Sequence, residues 1–83
     1  MQAPLERYDC FEGPKFLGYL WILVKEPFLI RCGLSTHREG WRLRLTGGPM
    51  SFFRTHICRT ESEIFDVSDA WKQEALQIGW APA

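Results

Sequence analysis

The residues best suited to metal binding or nucleophilic attack are two thiol–imidazole pairs, Cys32-x4-His37 and His56-x-Cys58. Zinc takes four such ligands in a tetrahedron. On a strand His56 and Cys58 would share one face, because side chains alternate. The close-spaced Cys pairs that mark structural zinc are missing, and a free Cys is commonly buried with no ligand role. Neither a metal nor a cofactor is therefore expected. Cysteine catalysis needs a base within reach of the thiol, and no local context couples Cys10, Cys32 or Cys58 to His37 or His56. Gly47-Gly48-Pro49 is too short to cradle a phosphate in the manner of a P-loop. A chain of 83 residues seldom encloses the pocket of roughly 300 Å3 or more that a substrate fills. The expectation is a non-catalytic protein.

Arginine is the second source of chemistry. Net charge is zero, yet the charges are segregated along the chain. Arg31 to Arg59 contains six arginines against one acid, Glu39, whereas Thr60 to Glu74 contains five acids against Lys72. Arginine favours planar, bidentate pairing. The candidates for gripping an anion or a nucleic-acid backbone are Arg31, Arg42, Arg44 and Arg54, with His56 as a further member. Exposed aromatics nearby, Tyr19 or Trp21, would supply surfaces on which bases stack. The plainer alternative pairs these arginines with the acidic last third or leaves them as a solvated face. Zero net charge favours that alternative, since nucleic-acid binders are usually basic.

These residues must be positioned by elements, and the most apolar stretch organises them. Phe16 to Val24 is nine residues without a charge. As a strand it places Phe16, Gly18, Leu20, Ile22 and Val24 on one side and Leu17, Tyr19, Trp21 and Leu23 on the other. Both sides are apolar, the pattern of a central strand covered twice. A buried helix between Pro14 and Pro27 is the competing reading, and the β-branched and aromatic content weighs against it. Phe28 to Leu34 reads as the next strand. Trp41 to Thr46 alternates most cleanly, with Trp41, Leu43 and Leu45 inward and Arg42 and Arg44 outward. Met50 to Arg59 reads as a strand of mixed phase. Leu5 to Phe11 leans towards a strand ahead of the Glu12–Lys15 turn.

The last third reads as a helix. Thr60-Glu61-Ser62-Glu63 fits a capping box, and Ser68-Asp69 offers a second start, with 63–67 then a short edge strand. Ile64, Val67, Trp71, Ala75 and Ile78 form one apolar stripe, and Gly79 ends it. Trp80 is either a plug on the core or an interface anchor, and the plug is preferred because chain ends are ordered only when tied down.

The expectation is one α+β domain spanning residues 1–83: an antiparallel sheet of about four strands with one C-terminal helix packed on one face. The second sheet face then needs a cover, from a curled sheet, from the chain's own ends, or from another chain. A short chain often completes its core by self-association. The expected function is a small binding module acting through an aromatic-rich sheet face, with Tyr19, Trp21 and Trp80 as interface candidates. Its partner would be another protein or a second copy in a homodimer. The runner-up is a nucleic-acid-binding domain using Arg31, Arg42, Arg44 and Arg54. No apolar leader and no stretch of ~20 apolar residues is present, so no membrane contact is expected. Three widely spaced cysteines suit a reducing cytoplasm.

Overall fold

The computed structural model describes residues 13–48 and 53–83. Four long strands come first: β1 (Phe16–Lys25), β2 (Phe28–His37), β3 (Gly40–Gly47) and β4 (Arg54–Cys58). Helix α1 (Glu61–Gln77) follows, then a two-residue strand β5 (Ala81–Pro82). The sheet is antiparallel, in the order β4-β3-β2-β1-β5. This is the expected α+β architecture, with one strand added by the C-terminal tail. Residues 16–24 are extended, so the helical alternative fails. The stretch 5–11 and residues 50–52 lie outside the described residues.

The helix covers one sheet face. Leu23, Ile30 and Leu45 meet Ala75 and Trp80, while Cys32, Leu43 and Cys58 meet Ile64. Trp21 and Trp71 pack against both groups and join them. Trp21 also donates its indole N–H to the Ser68 carbonyl at 3.1 Å, which ties β1 to the middle of the helix. Trp80 is 5% exposed, so it is the plug and not a free anchor.

Strand β1 does not keep the simple alternation read from the sequence. Its pairing with β2 slips between Phe16 and Gly18 and again between Tyr19 and Trp21. Each slip is a bulge, where an extra residue on one strand resets which side the next side chain takes. Gly18 stands at the first with φ of 138°, a conformation that suits glycine. The consequence is that Tyr19 pairs with Gly33 on one face and Trp21 pairs with Cys32 on the other. Tyr19 and Trp21, expected side by side, are on opposite faces. Leu20 joins Trp21 against the helix side.

Helix α1 begins as the capping box implies. Thr60 is the N-cap and its hydroxyl accepts from the Glu63 N–H. The Glu63 carboxylate accepts in turn from the Arg59 N–H at 2.9 Å. The helix runs unbroken through Ser68, so the proposed second start and the short strand over 63–67 are overturned. One well-capped start satisfies the first-turn donors and leaves nothing for a second. At the other end, Gly79 donates to the Leu76 carbonyl and Trp80 to the Ala75 carbonyl. That pair of bonds, with Gly79 at φ of 105°, is a Schellman cap. It turns the chain back, buries Trp80 and lays β5 against Leu23 and Val24. Ile78, the end of the expected stripe, is left 56% exposed at the cap.

Candidate binding face and a side-chain cluster behind it

The register assigns the paired strand residues to a face. Across the face opposite the helix, open among the described residues, run the rows Phe16–Ser35–Arg42–Ile57, Tyr19–Gly33–Arg44–Thr55 and Ile22–Arg31–Thr46. Three of the four arginines expected on one face, Arg31, Arg42 and Arg44, are therefore together. Arg54 is not with them. It pairs with Leu45 on the core side of the sheet and makes an ion pair with Glu74 of the helix. His56 is likewise on the helix side, 2.9 Å from a Glu63 oxygen. For these two the plainer reading was right: each reaches a helix carboxylate across the sheet–helix seam. Arg59, in the loop before the helix, pairs with Glu39.

Among the described residues, no ion pair of this kind joins Arg31, Arg42 or Arg44 to a carboxylate. The helix carboxylates lie behind the sheet, and among the described residues no carboxylate occupies a strand position on the uncovered face. Two of the guanidinium groups lie against rings instead. Arg31 is 5.4 Å from the Tyr19 ring centroid and Arg44 is 5.3 Å from that of Phe53. Both distances are within the ~6 Å over which a cation is drawn to an aromatic face. The Arg42 Nε–H is buried and meets no acceptor among the described residues, a costly state for a charged donor.

Phe16 and Tyr19 meet edge-to-face at 4.9 Å between centroids. Both rings lie across the backbone of Gly33, where an added Cβ would be 3.2 Å from Phe16. Beside them is an open groove of about 320 Å3 lined by Phe16, Tyr19, Gly33, Ser35, Arg44 and Thr46. Tyr19, Phe16 and Phe53 are each about half exposed or more. A cover over this face of β1 was expected from the sequence. Among the described residues there is none, and the second bulge explains part of the difference by moving Leu20 to the helix side. Of the three interface candidates, Tyr19 alone stands on the open face.

Behind the sheet, the thiols and imidazoles do not all converge. Cys32 and Cys58 are fully buried and unpaired by any disulfide. Burial pushes the Cys32 thiol up to about 12, which makes it inert near neutral pH. His37 stays at the end of β2, where its ring nitrogen accepts from the Glu39 N–H. His56 and Cys58 do come together, and the third member of their group is Glu63. A search for Cys and His alone misses that carboxylate. The signal for it is the capping box, which fixes Glu63 one turn into the helix and only five residues after Cys58. Hydrogen bonds from the Arg59 N–H and His56 hold the Glu63 carboxyl below the usual carboxylate range.

No helix among the described residues is long and apolar enough to cross a membrane. Comparison with known protein families, with curated proteins and with solved structures finds no match.

Proposed function

We propose that the chain is a binding module that holds single-stranded nucleic acid on the sheet face opposite the helix. The observation that carries this reading is the sorting of charge by face. Arg31, Arg42 and Arg44 share a face with Phe16, Tyr19 and Phe53, and no carboxylate stands among them at the described strand positions. Guanidinium groups suit phosphates, and flat rings suit bases that have left the stack. Aromatics on a sheet reach only unpaired bases, because a duplex hides base faces inside its own stack. The Arg42 Nε–H, which meets no acceptor among the described residues, suits a face that takes an anion.

Self-association through the same face is the second reading. It is favoured by the exposed apolar surface of Phe16, Tyr19 and Phe53. Charge opposes it, because a face-to-face pair would set three arginines against three. Like-charge contact of this kind is what interfaces avoid.

The test is fluorescence anisotropy of labelled single strands, DNA and RNA of one mixed sequence, against the same DNA as a duplex. Light scattering of the free chain is run in parallel. Tight binding of a single strand with weaker binding of the duplex supports the proposal. A dimer that binds no strand at low salt overturns it and supports self-association.

A further inference from the structure

We propose that His56, Cys58 and Glu63 form a binding site for a zinc ion, on the opposite side of the sheet from the arginine face. The imidazole nitrogen, the thiol sulfur and a carboxylate oxygen all lie within 4.8 Å of one another. A tetrahedral zinc with bonds of ~2.0–2.3 Å needs its ligand atoms roughly 3.3–3.6 Å apart. The three groups must close by little more than ~1 Å at the widest pair to meet that spacing. Rotation of the partly exposed His56 and Glu63 side chains supplies such movement without any change in the backbone.

The backbone sets the three groups in place independently of a metal. His56 and Cys58 are alternate residues of β4, and both point to the helix side. The chain then crosses in two residues, Arg59 and Thr60, to the first turn of α1. The Thr60 cap and the bond from the Arg59 N–H fix where the Glu63 carboxylate goes. One of its oxygens takes the Arg59 N–H and the other faces His56. The second oxygen is thus the one available to a metal, while the first keeps the helix capped. A carboxylate held by a hydrogen bond on its far oxygen is the arrangement that orients metal ligands.

The donor set selects the ion. Nitrogen, sulfur and oxygen together suit zinc, whereas calcium and magnesium take oxygen alone. Three protein donors leave one position for water, open to solvent past the half-exposed His56 and Glu63. Cys58 would bind as thiolate, so uptake releases its proton. The bound ion would replace the His56–Glu63 contact with a clamp between β4 and the start of α1.

The experiment uses the full chain with cobalt(II) as a spectroscopic stand-in and zinc alone as competitor. One equivalent of cobalt should give a thiolate-to-metal charge-transfer band that zinc removes. Cys58→Ser should abolish the band, and Cys32→Ser should keep it. Because Cys58 is buried and its replacement risks unfolding, His56→Gln and Glu63→Gln serve as second variants, each checked for helix content by circular dichroism. Each should weaken binding by at least the roughly 10- to 100-fold that loss of an outer-shell partner costs. Absence of the band in the unsubstituted chain overturns the proposal. So does a band that survives Cys58→Ser, or affinity unchanged in folded His56→Gln and Glu63→Gln.

Discussion

Replacing Arg42 and Arg44 by glutamine removes two of the three guanidinium groups that the described strands place on the open face and leaves both helix-side ion pairs in place. If each of the three neutralises one phosphate, the logarithm of affinity for a single strand falls with the logarithm of salt at a slope of about −2.1, taking about −0.7 per phosphate. Raising salt from ~50 to ~200 mM then weakens the unsubstituted protein by roughly 20-fold. The double variant keeps one contact, and the same change of salt weakens it by only about 2.6-fold. Tyr19→Ala should behave differently. It removes a stacking surface, costs about 1–3 kcal/mol per base, and leaves the slope alone. Arg54→Gln is the control, because Arg54 faces the helix and pairs with Glu74. The assay is a salt series of anisotropy titrations on all four proteins. A slope that Arg42→Gln/Arg44→Gln does not reduce, or that Arg54→Gln reduces equally, would refute the assignment of these arginines to the binding face.

Three further outcomes follow from the fold. Trp80→Ala should destabilise the chain by about 3–5 kcal/mol, the usual cost of emptying a buried aromatic site. Urea unfolding followed by circular dichroism measures it, and a loss under about 1 kcal/mol would mean that the tail is not part of the core. The Glu74 carboxyl is held below its ordinary value of 4.5 by the hydrogen bond and charge of Arg54. Its folded value is the lower one, so the pair stabilises above the ordinary value and is lost as pH falls through the depressed one. Glu74→Gln should therefore flatten the acid side of the stability curve in urea midpoints below about pH 4.5, and an unchanged curve contradicts the pair. Cys32 should resist iodoacetamide at pH 8 in the native protein and react in urea, read by peptide mass spectrometry, and native labelling would contradict its burial.

The parts of this fold that could be read from sequence are those where neighbours in the chain decide the outcome. Trp41, Leu43 and Leu45 alternate with Arg42 and Arg44, and a strand with one dry face follows directly. Thr60 and Glu63 satisfy a helix start from within four residues, and Gly79 marks its end. Where distant residues decide, the sequence was ambiguous or misleading. The phase of β1 turns on two bulges, which depend on how Gly18 and Leu20 meet β2, so alternation alone groups Tyr19 with Trp21 although the fold separates them. Arg54 and His56 looked like continuations of the arginine face because their partners, Glu74 and Glu63, belong to a later element. Strand β5 has only two residues and no periodicity, so nothing local announced it. Glu63 was visible as a cap but not as a neighbour of Cys58, since that proximity arises only when the helix folds back over β4.

The separation of charge by the sheet has a consequence for encounters at a distance. A chain with no net charge exerts no overall pull on an anion. Among the described residues, three guanidinium groups stand before the sheet and five helix carboxylates, partly offset by Arg54 and Lys72, stand behind it, and a nearby polyanion exerts a torque on charges so divided. The molecule would rotate to present its arginines before touching, and ions at physiological strength would confine that alignment to the last ~8 Å of approach.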